Sequence, residues 1–432
     1  MSGTRWARRG VALALTAALT AALGACGSDD NDSTGTASGS TQASAGTSTG
    51  AAASCGGDAV KIKVITNLSS PASRPFPEFG TGAKAAADAL TKDCTLGAPV
   101  EVSVCDDKFS PNGAAVCARE AVSDKVVGVV QYTGFGDSIV PILQAAKIPV
   151  LNSGTSSSES TSTYSFPFVP SIPALMGEVS IAGATGAKSL VVTPVDLPSV
   201  KFLTGVVAAQ AAGLGIKALS PIAIPPTETD MASYAGQVLS SGADAVLPVI
   251  GDTQSLALAK SLIQQGASFQ DGLWISSLAS GASPPILSEL GSDAEGTLAA
   301  SFTWSPTDPD GPGMQQFLDE VKASGQPSGA NDLTVYAVAG WAGVHVIADT
   351  LKGGDMTAAA LEEGLNTGRN DPQFENYGLP PTDFTKPAFS SGPLAKLRVF
   401  TKYSSAWKVN AEGTPEPLAP DWFDVTQPLK VQ

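Results

Sequence analysis

The sequence predicts an α/β protein with two doubly wound lobes, each built on a parallel sheet. Short runs of β-branched residues alternate along the chain with Ala-rich helical stretches, which is typical of parallel sheets with helices on both faces. A first series starts at Val60 and a second follows Val169. The chain has 432 residues, more than the roughly 250–300 that one hydrophobic core usually serves, so we expect two lobes.

The first series contains four strands and three helices. Its apolar runs are short and rich in Val and Ile, and the stretches between them are strong helix formers such as GAKAAADALT. Pro111 stands at the start of the second of these helices, a position that favours proline. The predicted strands are 60–65, 100–104, 126–130 and 149–151, and the predicted helices are 82–91, 114–122 and 138–146.

The second series repeats the alternation and ends differently. Pro221 makes its second strand irregular and favours an edge position. Two alternating segments, 396–402 and 405–410, close the chain as strands joined by a tight turn. The other predicted strands are 189–193, 218–224, 245–250, 273–276 and 296–302, and the predicted helices are 201–213, 230–241, 254–265, 313–324 and 332–351.

Charge and histidine content exclude several classes of function. The chain has 40 acidic against 25 basic residues, a net charge of −15, and such a field repels nucleic acid. His345 is the single histidine, which excludes zinc sites built on several histidines. It lies in an apolar helical pattern, so we expect a packed structural role. We therefore expect neither a metal site nor a cofactor.

The N-terminus is typical of an exported protein. Arg5, Arg8 and Arg9 precede the apolar run 11–23, which is too short to span a bilayer and predicts a signal peptide. The run ends in Leu-Gly-Ala before Cys26, which resembles the lipobox of bacterial lipoproteins. We expect residues 1–25 to be the signal peptide, Cys26 to be lipidated and residues 26–54 to form a disordered tether. The protein is then held at the extracytoplasmic face of the membrane.

The remaining cysteines suggest disulfides because the protein is expected to be exported. Cys55, Cys94, Cys105 and Cys117 follow the tether, and four cysteines allow three pairings. Metal binding is the rival interpretation, although the spacings resemble no common zinc pattern.

Several local motifs, taken in order, resemble one protein family over residues 58–415. They follow the first strand, open the first helix, end the second strand and surround the later strands. They are 67–71, 78–86, 105–107, 110–112, 126–130, 148–155 and 379–385. The chain resembles the class I periplasmic binding proteins, in the branch typified by the branched-chain amino-acid receptors of ABC importers.

This resemblance implies two lobes joined by a three-segment hinge, with a solute bound between them. We expect the crossings near 169–173, 302–306 and 387–393. Lobe 1 would then contain residues 55–170 and 303–390, and lobe 2 residues 171–302 and 391–432.

Two loops of lobe 1 are candidates for the polar head of the solute. Tyr132, Thr133 and Gly134 follow the third strand, where the resemblance implies a ligand-bonding hydroxyl at Thr133 and unpaired N–H groups at a helix start. The alternative is an ordinary loop capped by Asp137 or Ser138.

The loop after the fourth strand offers three more candidates, Ser153, Gly154 and Thr155, with a solvated Ser/Thr-rich loop as the alternative. Phe76, in the first loop, is a candidate aromatic lid, and its alternative role is local packing.

Lobe 2 contributes three candidates. Asp196 and Asp252 follow strands and either pair a ligand cation or cap a helix. The resemblance to the amino-acid receptors implies an acid after the strand 273–276, where this chain has Ser277, Leu278 and Ala279. The missing acid puts binding of a branched-chain amino acid in doubt.

The predicted βαβ geometry selects one disulfide pairing. Cys55 and Cys94 both lie at the amino ends of strands, whereas Cys105 and Cys117 lie near the carboxyl end. The pairs Cys55–Cys94 and Cys105–Cys117 are therefore expected, since cross pairs would span opposite ends of the sheet.

The sequence thus predicts a non-enzymatic, monomeric solute-binding lipoprotein. It would capture a small polar molecule (an amino acid, an amide or a small organic acid) and deliver it to the permease of an ABC importer. A ligand-sensing receptor of the same fold is the alternative. A surface hydrolase ranks last because its only G-x-S-x-G match, 46–50, lies in the tether.

Overall fold

We analysed a computed structural model of the chain, which describes residues 55–69, 74–196, 198–329 and 333–430. The expected signal peptide (1–25), the tether (26–54) and Cys26 lie outside the described residues. Within the described part, no helix is both long and apolar enough to cross a membrane.

Lobe 1 is the body built on a sheet of five parallel strands. Their order is β2-β1-β3-β4-β5, with Val64 of β1 opposite Val104 on one side and Val130 on the other. The strands are β1 (Val60–Thr66), β2 (Val100–Asp106), β3 (Gly128–Tyr132), β4 (Val150–Asn152) and β5 (Ser165–Pro167). The helices between them are α1 (Pro77–Lys92), α2 (Pro111–Ser123), α3 (Gly136–Ala145) and α4 (Ser157–Thr161).

Lobe 2 is the body built on the later strands. The strands are β6 (Ser189–Pro194), β7 (Lys217–Ala218), β8 (Ala245–Val249), β9 (Ile275–Ser277), β10 (Leu298–Ser301), β11 (Tyr403–Val409), β12 (Pro415–Pro417) and β13 (Phe423–Asp424). The helices that follow α4 along the chain are α5 (Ser171–Ala184), α6 (Pro198–Gly213), α7 (Ala232–Ser241), α8 (Asp252–Gln264), α9 (Pro284–Leu290), α10 (Met314–Ser324), α11 (Val335–Leu351) and α12 (Ala358–Thr367). Short 3-10 helices cover Gly291–Ala294, Phe374–Tyr377 and Pro393–Lys396.

The strands of lobe 2 form two sheets that meet at one bridge. Strands β7, β6 and β8 pair in parallel, and β9 pairs in parallel with β10. A bridge between Val246 and Trp274 joins β8 to the chain that leads into β9. The C-terminal strands are antiparallel, since β11 pairs in that direction with β10, β12 and β13. The predicted two-lobe α/β fold is confirmed, with a mixed rather than purely parallel second lobe.

The long helix α11 returns to lobe 1 and crosses α1 at very close range. A Cβ on Gly82 would lie 1.9 Å from the carbonyl oxygen of Ala337, and a Cβ on Gly340 would lie 1.9 Å from that of Phe79. Only glycine permits this approach of the two backbones, so both positions fix how α11 lies against the first helix.

Most predicted elements are present, and two predicted strands are wrong in extent. Segment 396–402 is the end of a 3-10 helix followed by irregular chain. Its Val399 and Phe400 are buried side chains of an irregular segment whose carbonyl at Val399 accepts from the N–H of Ala388. The strand expected at 218–224 shrinks to β7 plus one bridge at Ile224, because Pro221 supplies no N–H to a ladder. The strand that pairs with β11 across a tight turn is β12.

Both expected disulfides are present. The Cα atoms of Cys55 and Cys94 are 5.5 Å apart, and those of Cys105 and Cys117 are 5.7 Å apart. The pairing therefore follows the two ends of the βαβ unit, as the strand positions predicted. His345 is buried on α11 and stacks on Tyr377, and its Nε2 lies 2.8 Å from a carboxylate oxygen of Glu320. This is the packed structural role expected from its apolar pattern.

Candidate functional site

The candidate site lies where loops at the carboxyl ends of strands from both lobes meet, which is where open parallel sheets bind ligands. Arg74 belongs to the loop between β1 and α1, and Asp252 opens α8 directly after β8. The Nε of Arg74 donates to Oδ2 of Asp252 at 2.7 Å. One ion pair thus connects the first loop of lobe 1 to lobe 2.

Arg74 has a second carboxylate partner in its own lobe. Its Nη2 donates to Oε1 of Glu78 at 2.6 Å, one helical turn away in the first turn of α1. Glu78 is 2% exposed and also accepts from the hydroxyl of Thr334, the N-cap of α11, at 3.4 Å. The contact of Arg74 with Glu78 is therefore local and is supported by Thr334, whereas its contact with Asp252 depends on how the two lobes meet.

Two aromatic rings, those of Phe76 and Tyr336, lie beside the guanidinium, and two more extend the group. Its Cζ lies 4.7 Å from the ring centroid of Phe76 and 5.5 Å from that of Tyr336, distances at which a cation is attracted to a ring face. The rings of Tyr132 and Tyr336 are 4.7 Å apart, and Phe302 of lobe 2 lies 6.0 Å from Tyr132. We call Phe76, Tyr132 and Tyr336, together with Glu78 and Asp252, the cation box.

Burial and charge shift the titration of the cation box. Burial raises the pKa of Asp252 to about 6, although the neighbouring Arg74 opposes the shift. Burial also raises the pKa of Tyr132 to about 12 and that of Tyr336 well above its usual value. Burial disfavours the charge of Arg74, but Glu78 and Asp252 outweigh it and raise the pKa of the guanidinium. At neutral pH the guanidinium is charged and both tyrosines keep their protons.

The hydroxyl of Thr133 is engaged by a carboxylate next to β3. It donates to Oδ2 of Asp107, a fully buried residue directly after β2. Burial raises the pKa of Asp107, and the hydrogen bond from Thr133 opposes that shift. The neighbouring Gly134 is exposed and has space around it.

The expected cap of α3 is wrong, because the N-cap residue is Phe135. The carboxylate of Asp137 instead accepts from the backbone N–H of Ser158 at 2.7 Å, which ties α3 to α4. Ser138 lies within the first turn, and its N–H donates to the carbonyl of Phe135 at 2.9 Å.

The loop after β4 brings Ser153, Gly154 and Thr155 to a second buried carboxylate. The Oγ atoms of Ser153 and Thr155 are 3.3 Å apart, and Thr155 donates to Oε2 of Glu159 at 3.1 Å. Burial raises the pKa of Glu159. Gly154 has φ +68° and a Cβ there would lie 3.0 Å from Pro167, so the turn requires glycine.

The three candidate residues of lobe 2 lie in different surroundings. Asp252 is 9% exposed and lies in the first turn of α8, whose N-cap is Gly251, so the capping alternative for Asp252 is wrong. Asp196 is exposed at the end of β6, where its backbone N–H donates to the carbonyl of Ile224 at 2.8 Å. Leu278 is buried after β9, and its N–H donates to the carbonyl of Ala300.

Sequence reasoning found the loops but missed Arg74, Glu78 and Tyr336. A signal for the first two was available, because Arg74-Pro75-Phe76-Pro77-Glu78 places a cation and an acid one helical turn apart after a predicted strand. No comparable sequence pattern indicates Tyr336, because α11 lies far along the chain and its apolar sequence is typical of a buried helix.

Comparisons with known proteins show the family and the fold of the chain. The sequence profile of the periplasmic binding protein family matches residues 59–388, well over half of the chain. No curated protein sequence matches the chain significantly.

Among solved structures, the fold is similar to a leucine-binding protein LivK from Thermotoga maritima, with 17% identity, a TM-score of 0.66 and coverage of 83% of this chain and 98% of that one. A branched-chain amino acid ABC transporter protein from Thermus thermophilus with bound valine is 14% identical, with a TM-score of 0.70 and coverage of 86% and 98%. A solute-binding protein from R. palustris in complex with 4-hydroxybenzoate is 19% identical, with a TM-score of 0.63 and coverage of 86% and 98%.

Proposed function

The chain belongs to the periplasmic binding protein family, and we propose that it captures a small polar solute between its lobes for the permease of an ABC importer. The observation that supports this most is the contact of Arg74 with Asp252 at 2.7 Å, which joins strand-end loops of both lobes beside aromatic rings. A few polar groups among apolar walls are typical of small-molecule sites. The similar structures from R. palustris and Thermus thermophilus are ABC transporter proteins, which supports the same role.

The proposed solute is an amino acid, an amide or a small organic acid, with its polar head near Thr133, Ser153 and Thr155. Adjacent strands β3 and β4 carry these residues at their carboxyl ends, so their loops converge. The three-segment hinge and the lobe boundaries expected from the sequence belong to the same proposal, since closure over a solute requires that the lobes move as units.

A thermal-shift screen followed by calorimetry tests this function. A solute that binds only the folded protein raises its melting temperature by mass action, so a panel of amino acids, amides and small acids should contain a stabilising ligand. Thr133→Ala and Thr155→Ala should then weaken its binding by about tenfold or more. Thr367→Ala, on the exposed face of α12, is the matched control. Unchanged affinity in both test variants would remove these residues from the site.

We further propose that the protein is exported and held at the membrane by a lipid on Cys26, with residues 26–54 as a tether and the folded part as a monomer. The support is the basic and apolar N-terminus before a lipobox-like cysteine. Cys26→Ser should release the protein from the membrane or leave it unprocessed. Mature protein that still sediments with membranes after this change would contradict the anchor.

A further inference from the structure

We propose that the solute carries a cationic group, an amine or a guanidinium, which pairs with Asp252 in place of the Nε–H of Arg74. This inference rests on the proposed function and specifies which chemistry the site recognises. It assigns to Asp252 the role of the solute's counter-ion and to Arg74 the role of a competitor tethered within the same site.

The two carboxylates of the cation box differ in how they hold Arg74. Glu78 lies on α1, one helical turn from Arg74, is 2% exposed and is buttressed by Thr334. Asp252 arrives from lobe 2 and contacts Arg74 through one oxygen only, at 2.7 Å. Separation of the lobes therefore removes Asp252 from Arg74 but leaves the Arg74–Glu78 pair intact. Asp252 is the exchangeable partner.

Pairing of charges then decides which solute allows the lobes to close. A cationic solute between Arg74 and Asp252 leaves every charge paired, since Arg74 keeps Glu78 and Asp252 gains the solute. A solute with only a negative charge would approach Arg74 and leave Asp252, which is 9% exposed, without a partner. An unpaired buried charge is strongly destabilising. The arrangement therefore favours a solute that supplies positive charge, with or without a carboxylate elsewhere.

The rings of the cation box already accommodate a cation. Arg74 stacks near Phe76 at 4.7 Å and near Tyr336 at 5.5 Å, and Tyr132 lies 4.7 Å from Tyr336. Cations are favoured over such ring faces, more strongly where water is excluded. The ring of Tyr132 would offer a second organic cation of guanidinium or amine type a surface of the same kind beside Asp252.

The neighbouring hydroxyls also suit a solute that donates hydrogen bonds. Thr133 gives its proton to Asp107, and Thr155 gives its proton to Glu159. Each oxygen already accepts one hydrogen bond, Thr133 from the N–H of Phe135 and Thr155 from the hydroxyl of Ser153, so each keeps one lone pair and no uncommitted proton. An ammonium or guanidinium group carries only donors, which is the chemistry that these remaining lone pairs can accept.

Calorimetry with defined probes tests the charge preference. Agmatine and benzylamine carry a cation without a carboxylate, L-arginine carries both, and benzoate and 4-hydroxybenzoate carry only an anion. We expect binders among the cationic probes, and we expect Asp252→Asn to weaken them by about 10- to 150-fold. Asp293→Asn, an exposed carboxylate of lobe 2, is the matched control and should bind like the wild type.

A rescue experiment tests the cation box without knowledge of the natural solute. Arg74→Ala removes the tethered guanidinium, so N-ethylguanidinium should bind this variant and raise its melting temperature. The double variant with Asp252→Asn should lose that response, and sodium acetate should not reproduce it. Circular dichroism confirms that each variant is folded. If Arg74→Ala does not fold, the calorimetric comparison of the wild type with Asp252→Asn tests the proposal by itself.

The outcomes separate this inference from the proposed function. Anionic probes that bind while Asp252→Asn leaves their affinity unchanged would overturn the cationic solute but keep solute capture. Absence of a rescue by N-ethylguanidinium in folded Arg74→Ala would overturn the cation box. If no probe binds the wild type but rescue occurs, the box stands as a cation site and solute capture loses its support.

Discussion

The crossing of α1 and α11 offers a sharp test of the fold, because it depends on two glycines. Gly340→Ala places a Cβ 1.9 Å from the carbonyl oxygen of Phe79. Such an atom pair needs at least about 3 Å, so the helices must separate by roughly 1 Å or more along a fully packed interface. Overpacking of this kind costs roughly 1–3 kcal/mol, even though alanine is the better helix former by about 1 kcal/mol.

The matched control is Gly205→Ala on α6. It is exposed, and among the described residues no heavy atom outside its own helix backbone and chain neighbours lies within 4 Å of the added Cβ. This variant should gain up to about 1 kcal/mol from helix propensity alone. Urea unfolding followed by circular dichroism compares both variants with the wild type. The reasoning is refuted if Gly340→Ala unfolds at the same urea concentration as Gly205→Ala.

Three further outcomes follow from buried groups. Replacing Cys105 and Cys117 by alanine should lower the free energy of unfolding by about 3 kcal/mol, because the disulfide closes a loop with a sequence separation of 12. Unfolding of the variant and the wild type, with and without reductant, measures this difference. Burial raises the pKa of Glu178 well above its usual value, so the stability linked to its protonation is complete below about pH 4 and lost as the pH rises through the folded pKa. Glu178→Gln should therefore exceed the wild type in stability at pH 8 by more than at pH 4, and an equal difference at both pH values would contradict this. Burial opposes ionisation of Glu320, but hydrogen bonds and the nearby His345 lower its pKa overall, so its contribution is present above about pH 4.3 and lost in acid; Glu320→Gln should flatten that acid limb in pH-dependent melting curves.

The alternation of apolar and helical segments was enough to predict the two lobes, and it failed where burial and backbone pairing diverge. Segment 396–402 alternates like a strand, yet its buried side chains belong to irregular chain. Helix α5 was missed because its residues are buried on almost every side, so no amphipathic stripe marks it. An alternating apolar pattern indicates which side chains are buried. It indicates a β-strand only where the same residues also pair with a neighbouring strand.

The candidate site also has a part that the sequence pattern predicts and a part that it does not. Thr133, Ser153 and Thr155 follow adjacent strands of one parallel sheet, which brings them to one edge, and Asp252 follows a strand of a second sheet. The choice of partner across the lobes is a tertiary property. Nothing local to Asp252 indicates that its carboxylate accepts from Arg74, which lies 178 positions earlier in the chain.

The carboxylate of lobe 2 lies in a different loop from the one that the family resemblance implies. The resemblance to the amino-acid receptors implies an acid after the strand that is β9 here, and this chain has the buried Leu278 in that loop. Asp252 follows β8, which the Val246–Trp274 bridge places beside the start of β9. Neighbouring strands are about 4.8 Å apart, so a carboxylate moved by one strand shifts the expected cation by a similar distance. Here the carboxylate of Asp252 accepts from Arg74, and its negative charge adds to the burial that raises the pKa of Tyr132. The cationic solute proposed above would, when paired with Asp252, lie beside the loop of lobe 1 that carries Arg74.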